Sequence, residues 1–188
     1  MIPQSFEYDA PANLEEALGM LADRSAKALA GGMSLIPLMK LRLAAPERLV
    51  DLGRISGLNY IREDGDALRI GATTTHHQIE ESALVRGRCP LLAETASKIG
   101  DVQVRNVGTL GGSIAHADPA ADYPAALLAL EAEVRVLRAQ SARTVSIADF
   151  FVDTFTTALE PGEIVGEVTV PKETSGTGTS YQKLPQPA

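Results

Sequence analysis

In the first 52 residues, the spacing of apolar side chains predicts one helix and two strands. Leucine and alanine recur every three or four residues over 13–22, which predicts a helix capped by Asn13. Short apolar runs at 26–30 and 49–52 are typical of buried strands. We therefore expect a small βαβ-like lobe over residues 1–52.

The remainder of the chain mixes strand and helix periods. Residues 58–72 alternate around Asp64-Gly65, which predicts a hairpin whose two central residues both take positive φ. A second hairpin is predicted over 134–147, and a last strand over 164–170. Helices are predicted at residues 75–82, 90–99 and 123–130.

These elements divide the chain into two lobes and a tail. Residues 53–170 are expected to form a second, larger lobe that contains a mixed sheet with two hairpins. Residues 171–188 contain three prolines and few large apolar side chains, so we expect them to act as a linker. The predicted fold class is α+β, in two lobes.

Composition and charge narrow the classes of protein. The 188 residues are 45% hydrophobic and 22% charged, which excludes disorder of the whole chain. Lysine and arginine number 17 against 24 acidic residues, a net charge of −7. Since no basic cluster is present either, nucleic-acid binding is not expected.

The single cysteine, Cys89, excludes several metal and redox sites within this chain. It allows no internal disulfide, no thiolate-bound iron–sulfur cluster and no CxxC zinc site. No apolar run reaches about 18 residues, so no membrane-spanning segment is expected. The N-terminal residues also lack the basic and apolar stretches of a signal peptide, and we expect a cytoplasmic location.

Two glycine-rich segments are candidates for binding an anion. They are AGGMS at 30–34 and GTLGGS at 108–113. Paired glycines allow a ligand to approach backbone N–H groups, and Ser34 and Ser113 can each add a hydroxyl donor. Either segment alone is typical of a tight turn, but one in each lobe favours a diphosphate held between them. Neither matches the GxGxxG or the GxxxxGK[ST] pattern.

The second glycine segment lies in a stretch, 100–124, that we expect to be a long functional loop. Asp118 and Asp122 are a pair of carboxylates suited to acid–base chemistry, to metal binding or, for Asp122, to binding sugar hydroxyls. Asp118 is equally suited to capping a helix, since proline follows it. His116 can contact a ligand or fill the turn.

The two adjacent histidines do not predict a metal site. On a helix, the side chains of His76 and His77 point about 100° apart and do not chelate one ion. We expect a structural role for His76 at a helix start. No Ser/His/Asp arrangement is recognisable, and Ser113 does not lie in a GxSxG turn.

Longer motifs carry a resemblance to a known family. The run AGGMS at 30–34 and QVRN at 103–106, followed by GTLGGSIAHADPAAD at 108–122, resemble the FAD-binding medium subunit of molybdenum hydroxylases. SLIPLMKLR at 34–42 and IGATTTH at 70–76 extend the resemblance over essentially the whole chain. The family includes the flavoprotein subunits of carbon monoxide dehydrogenase and xanthine dehydrogenase. It implies the FAD-binding fold of the p-cresol methylhydroxylase (PCMH) type.

The resemblance implies a set of FAD-binding residues, and neither a catalytic residue nor a metal ligand. Residues 30–34 and 109–113 correspond to two segments that wrap the FAD diphosphate with backbone amides, and Asp122 to a carboxylate that binds the sugar portion of the flavin. The full implied set is Ala30, Gly31, Gly32, Met33, Ser34, Leu35, Thr109, Leu110, Gly111, Gly112, Ser113, Ala115, Asp118, Asp122, Ile164, Tyr181 and Lys183.

The last members of this set are implied to lie around the flavin ring. Ile164 corresponds to an aliphatic residue near the flavin, and Tyr181 and Lys183 to residues beside the isoalloxazine. Met33 departs from the family, in which many members carry histidine at this position. The family also continues beyond the position of Ala188 with a C-terminal domain of about a hundred residues.

The implied function is electron transfer within a complex. An iron–sulfur subunit and a molybdopterin subunit are the implied partners, and electrons pass from the iron–sulfur subunit through FAD to an external acceptor. Carbon monoxide, a purine, an aldehyde or an N-heterocycle all stay open as substrates. The alternatives are a non-catalytic module that binds another phosphate ligand and a stand-alone flavin oxidase, for which the chain is too short to supply a substrate domain.

Overall fold

The computed structural model describes residues 2–184, so residues 185–188 of the predicted linker lie outside the described part. Its strands are β1 (Glu7–Asp9), β2 (Ala26–Leu29), β3 (Arg48–Asp51), β4 (Ile61–Asp64), β5 (Ala67–Gly71), β6 (Glu133–Arg138), β7 (Ser141–Ser146), β8 (Phe151–Asp153), β9 (Thr156–Thr157) and β10 (Ile164–Pro171). Its α-helices are α1 (Leu14–Leu21), α2 (Leu35–Lys40), α3 (His76–Glu81), α4 (Ala83–Arg88), α5 (Pro90–Ser97), α6 (Val102–Val107), α7 (Leu110–His116), α8 (Tyr123–Ala129) and α9 (Ile147–Phe150). A 3-10 helix spans Ser56–Leu58. No described helix is long and apolar enough to cross a membrane.

The N-terminal lobe is a parallel sheet with the strand order β1-β3-β2. The helix α1 connects β1 to β2 and packs Ala17 and Leu18 in one cluster with Val50 of the central strand. Asn13 begins this helix as predicted, because its side-chain oxygen accepts a hydrogen bond from the Glu16 N–H at 2.9 Å. The predicted βαβ-like lobe is confirmed.

The larger sheet has the strand order β4-β5-β10-β6-β7, and each of these described pairings is antiparallel. The α+β class is confirmed, but the mixed sheet predicted for this lobe is wrong. Parallel neighbours need a long crossover, whereas here two hairpins each turn back at once. The strand β10 then inserts between the hairpins, antiparallel to both.

The main core lies between one face of this sheet and the helices. Ile70 and Val168 from the strands pack in one cluster with Leu92, Leu110 and Leu127 from α5, α7 and α8. Each of these side chains is fully buried. The helices that carry the second glycine segment and Asp122 are therefore fixed from below by hydrophobic packing.

The strand β10 also reaches the N-terminal lobe. Ile164, its first residue, packs in the same cluster as Leu18, Ile55 and Leu58, whereas Val165 belongs to the main core. The two lobes thus have separate sheets joined by shared apolar contacts. The domain boundary between residues 52 and 53 stays a prediction.

The first hairpin turns one residue later than predicted. Asp64 pairs with Ala67, so the central residues of the turn are Gly65 and Asp66. Of these two, only Gly65 has a positive φ, at +55°. A turn on Asp64-Gly65 with two left-handed residues is therefore wrong, and a single glycine at the first central position provides the reversal.

Residues 100–124 are not the long loop that we expect from the sequence, because they hold α6, α7 and the start of α8. The Asp101 side chain accepts from the Val104 N–H at 2.8 Å and begins α6. The Thr109 side chain accepts from the Gly112 N–H at 3.1 Å and begins α7. These polar residues are helix-capping signals, but the glycines beside them favour a loop by propensity.

The face of the larger sheet opposite the main core holds a buried carboxylate. Glu167 of β10 accepts a hydrogen bond from the Tyr60 hydroxyl at 2.5 Å and pairs with the guanidinium groups of Arg62 and Arg69, each at 3.3 Å. Its side chain is only 3% exposed. Burial and the hydrogen bond to Glu167 raise the pKa of Tyr60 to about 12. The cluster ties β4 and β5 to the central strand.

Replacing Glu167 by glutamine should lower the free energy of unfolding by about 1–3 kcal/mol, because two arginines lose a shared counter-charge. Urea unfolding followed by circular dichroism measures the change. Glu160→Gln is the matched control, because Glu160 is 64% exposed and lies 3.4 Å from Arg138. An exposed pair contributes at most about 1 kcal/mol. Equal losses in the two variants would contradict the role of burial.

Candidate functional site

The two glycine segments meet through their backbones. A Cβ added to Gly31 would lie 2.1 Å from the Val107 carbonyl oxygen and 2.8 Å from the Gly108 Cα. Such distances leave no space for a side chain, so glycine is required at position 31. The Ala30 Cβ lies 3.9 Å from the position that a Cβ on Gly112 would take. The structure therefore brings together the segments that the sequence singles out.

The first segment presents a row of free backbone donors. Gly32 has φ +70°, a left-handed conformation that reverses the chain after β2 and leads it into α2. Among the described residues, no acceptor is found for the N–H groups of this turn, which belong to Gly31, Gly32, Met33, Ser34 and Leu35. Consecutive unpaired N–H groups of this kind are suited to holding an anion.

The second segment has already used most of its backbone donors. The N–H groups of Leu110 and Gly111 donate to the carbonyls of Thr74 and Ala72, at 3.0 and 2.9 Å. The Gly112 N–H donates to the Thr109 hydroxyl. The Ser113 N–H donates to the Thr109 carbonyl at 3.0 Å. Among the described residues, the Ser113 hydroxyl has no partner, so it is a donor that this segment can offer to a ligand.

The glycines of the second segment have a packing reason as well. A Cβ on Gly111 would lie 2.5 Å from the Ala72 Cβ, where α7 crosses the end of β5. A Cβ on Gly112 would lie 2.8 Å from the Thr109 hydroxyl that caps this helix. These glycines therefore set how closely α7 approaches the sheet, and their role in an amide wrap stays a prediction.

Asp122 is brought together with both predicted residues of the tail. Its carboxylate is buried, with the residue 6% exposed, and it accepts from the Tyr181 hydroxyl at 2.7 Å and from the Lys183 ammonium at 2.8 Å. Burial and the hydrogen bond to Asp122 raise the pKa of Tyr181 to about 12. The Tyr181 N–H donates to Glu94 at 3.0 Å, and the Lys183 ammonium donates to the Lys98 carbonyl at 3.0 Å. The described part of the tail therefore crosses α5 and reaches Asp122.

Three other predicted residues lie in different surroundings. Asp118 does not cap α8: its side chain accepts from the Ala120 N–H at 2.8 Å and closes a turn. Ile164 is 5% exposed and packs in the core of the N-terminal lobe. Ala115 is exposed on α7. Contacts of these residues with a ligand stay predictions.

Two of the histidines are held by aromatic neighbours. His76 begins α3 as expected, and its ring nitrogen Nδ1 lies 3.1 Å from the Tyr123 hydroxyl. Burial lowers the pKa of His76 to about 4, with Asp122 raising it and Arg105 lowering it to smaller extents. His116 packs against Phe155 with ring centroids 5.1 Å apart, which favours the turn-filling role for this residue.

His77 lies in a group of potential metal ligands with Glu80 and Glu81, whose ligand atoms are all within 4.8 Å of one another. Glu80 pairs with Arg105 at 3.0 Å, and Glu81 pairs with Arg86 at 2.7 Å. Both carboxylates therefore already have a counter-charge, and we describe the group as an ion-pair cluster.

This chain is similar in sequence to proteins of known family. A family model described as "FAD binding domain in molybdopterin dehydrogenase" matches residues 4–173. The carbon monoxide dehydrogenase medium chain of Hydrogenophaga pseudoflava is 47% identical over 186 residues, which cover 98% of this chain and 65% of that protein. The glyceraldehyde dehydrogenase medium chain of Sulfolobus acidocaldarius is 40% identical over 185 residues, which cover 98% of this chain and 66% of that protein.

A solved structure agrees with this chain over its whole length. It is carbon monoxide dehydrogenase from Hydrogenophaga pseudoflava, in a form that lacks the Mo-pyranopterin moiety of the molybdenum cofactor. The TM-score is 0.97 at 47% identity, and the match covers 100% of this chain and 66% of that one. This chain therefore spans just under two thirds of the length of these relatives.

Replacing Gly31 by alanine should lower the free energy of unfolding by about 1–3 kcal/mol, because the added Cβ collides with a backbone carbonyl that has to move away. Gly19→Ala is the matched control, since Gly19 lies in α1 with nothing within 4 Å of an added Cβ. It should stabilise the protein by about 0.5–1 kcal/mol. Urea unfolding of both variants measures the contrast, and an unchanged stability of Gly31→Ala would refute the close approach.

His76 should make stability depend on pH. The unfolded chain binds a proton at the ordinary histidine pKa of 6.5, whereas the folded chain does so at about 4. The neutral form is favoured on folding, so this stability is complete above pH 6.5 and falls as the pH drops toward 4, by up to roughly 3 kcal/mol. Urea unfolding at successive pH values, compared with His76→Asn, isolates the effect. An identical pH profile in the variant would contradict it.

Proposed function

Because this chain belongs to the family of FAD-binding domains in molybdopterin dehydrogenases, we propose that residues 30–34 and 109–113 hold the FAD diphosphate between the two lobes. The arrangement of donors carries the proposal. Within the described part of the chain, unpaired N–H groups run from Gly31 to Leu35, beside the backbone contact of Gly31 with Val107 and Gly108. A diphosphate is an anion with several acceptor oxygens, and it matches a row of consecutive free donors.

The two glycine segments would contribute different groups. The first supplies backbone N–H groups, and the second supplies the Ser113 hydroxyl on a helix that is fixed to the end of β5. We propose that the ligand is held by an adaptable segment, residues 30–34, on one side and by a rigid segment, residues 109–113, on the other. Thr109 stabilises the rigid side, because its hydroxyl accepts the Gly112 N–H and is not free to rotate.

Asp122 is proposed to accept hydrogen bonds from the sugar portion of FAD. A carboxylate has about four acceptor sites, so the bonds from Tyr181 and Lys183 leave room for a further donor. The buried Asp122 would thereby connect the ligand to the tail residues that the family resemblance places beside the flavin ring. Leu35 is proposed to contribute its backbone N–H to the first segment, and Ile164, Ala115 and Asp118 are proposed as further contacts.

When bound, FAD supplies the redox chemistry, since the protein groups of this site carry no redox function. The residues of this chain bind the cofactor, orient it and restrict access of water. We propose that the whole protein is the flavin subunit of a molybdenum hydroxylase or dehydrogenase, working with an iron–sulfur and a molybdopterin subunit. We propose that another subunit binds the substrate. The relatives described above are named for carbon monoxide and for glyceraldehyde, so the identity of the substrate stays open. The cytoplasmic location stays a prediction.

Titration with FAD tests the proposal directly. The fluorescence of the flavin should be quenched when FAD binds. Bound FAD should resist removal by gel filtration, so that flavin absorption appears in the protein fraction. A module for another phosphate ligand would instead bind ADP as tightly as FAD and would gain nothing from the flavin portion. Absence of FAD binding to the folded chain would overturn the proposed function.

Asp122→Asn should weaken FAD binding by about 1–3 kcal/mol, because a charged acceptor is lost while the size of the side chain is kept. Asp23→Asn is the matched control, since the exposed Asp23 carboxylate accepts the Ser25 N–H at 2.9 Å and lies at the other end of β2 from the first glycine segment. It should leave FAD affinity nearly unchanged. Fluorescence titration measures both, with circular dichroism as the folding control. Equal affinities of parent and Asp122→Asn would show that the carboxylate is wrongly assigned.

A further inference from the structure

We propose that His76 is a positioning residue that fixes the separation between the second glycine segment and Asp122. The inference rests on the proposed function, because it concerns how two parts of the proposed FAD site are held relative to each other. His76 is 4% exposed, and neither the motifs nor the comparisons give it a role at the cofactor. Its contacts on opposite sides carry the argument.

On one side, His76 holds the glycine segment. Its backbone N–H donates to the Gly108 carbonyl at 3.0 Å, and Thr75 pairs with Thr109 in a β-bridge. Its ring lies directly beneath Gly108, where an added Cβ would be 2.7 Å from Nε2 and 2.9 Å from Cδ2. The imidazole thus sets how closely the backbone at Gly108, between α6 and the cap of α7, approaches α3.

On the other side, His76 holds the start of α8. Its Nδ1 lies 3.1 Å from the hydroxyl of Tyr123, and the two rings are 5.3 Å apart at a tilt of 56°. Tyr123 is fully buried, and within residues 2–184 its hydroxyl has His76 as its hydrogen-bond partner. Tyr123 directly follows Asp122, so the bond fixes where the backbone presents that carboxylate.

Burial, more than the surrounding charges, keeps the imidazole neutral. Asp122 from α8 and Arg105 from α6 act on His76 in opposite directions, and burial opposes the charged form. Glu80 from α3 pairs with Arg105 at 3.0 Å and offsets its charge. Tyr123 is itself neutral, because burial raises its pKa well above the ordinary value. A neutral ring accepts or donates one hydrogen bond at Nδ1 and fills the space under Gly108 without introducing a charge.

No other described side-chain hydrogen bond connects these two parts of the site from below. The connection from α7 to α8 includes the left-handed residue Ala117 and the turn closed by Asp118. Above it, Asp122 is held by Tyr181 and Lys183 of the tail. If the bond between His76 and Tyr123 is lost, the remaining side-chain hydrogen bonds that position Asp122 are those from the tail, and the start of α8 is held by hydrophobic packing.

The decisive variant is Tyr123→Phe, which removes one hydroxyl and keeps the ring. It should weaken FAD binding by the full chain about tenfold, as expected for one buried hydrogen bond. His76→Ala should weaken it at least as much, whereas His76→Asn, which keeps a polar atom near the place of Nδ1, should recover part of the loss. Tyr60→Phe is the matched control, because it removes a hydroxyl bonded to Glu167 away from the site. It should lower stability and leave FAD affinity unchanged.

Coupling to Asp122 distinguishes positioning from general destabilisation. In the double variant Tyr123→Phe with Asp122→Asn, the loss of affinity should be smaller than the product of the two single losses, because both act on one contact. Independent losses that multiply, or a loss in Tyr60→Phe equal to that in Tyr123→Phe, would overturn the proposal.

Amide hydrogen exchange of the ligand-free chain tests the proposal without FAD. Tyr123→Phe should increase exchange at Leu110, Gly111 and Gly112 while leaving the central strand, represented by Val168, protected. Unchanged protection of the glycine segment would overturn the proposal. If the parent chain binds no FAD, the proposed function fails separately, and the exchange result alone decides the role of His76.

Discussion

Where Gly31 lies against Val107 and Gly108, the two lobes touch through their main chains with no side chain between them. This contact forces the first glycine segment to enter α2 immediately beside the cap of α7. It also explains why a left-handed glycine, Gly32, must follow at once. Any larger separation would leave the two glycine segments apart, as separate turns on separate lobes.

The other features of the site stabilise the two segments that meet at this contact, each within its own lobe. Hydrogen bonds from Leu110 and Gly111 attach the second segment to the end of β5, and the His76 ring supports it from below. The N–H groups of the first segment have no acceptor among residues 2–184. The N-terminal lobe thus supplies donors and the larger lobe supplies rigidity, and shared apolar contacts around Ile164 keep the two lobes in register.

Local elements of this fold are predictable because their signals are local. The capped helix α1, the helices α3, α5 and α8, and both hairpins follow from periodicity within short windows. The pairing of β10 does not, since its partners lie far away along the chain. Glu167 has the pattern of an exposed residue on an alternating strand, and it becomes buried because Tyr60, Arg62 and Arg69 converge on it from other strands.

The candidate site shows the same division. Residue type alone singles out the glycine segments and Asp122, and the family motifs add Tyr181 and Lys183. Which N–H groups stay free is not predictable, because it depends on Thr74 and Ala72 lying opposite Leu110 and Gly111. The capping role of Thr109 was accessible from its residue type, but the neighbouring glycines favour a loop by propensity. The bond of His76 to Tyr123 is tertiary and has no signature along the chain.

The central position of β10 in the larger sheet affects how the chain folds while it is being synthesised. Each hairpin of the larger sheet closes over a short turn, but the inner edges of β5 and β6 have no neighbour until residues 164–171 arrive. A ribosome releases these residues last among the strands of the sheet. Until then, the nascent chain exposes two unpaired strand edges, which are templates for pairing with other chains. The strand that joins the two lobes is therefore also the one that covers these two edges and ends their availability to other chains.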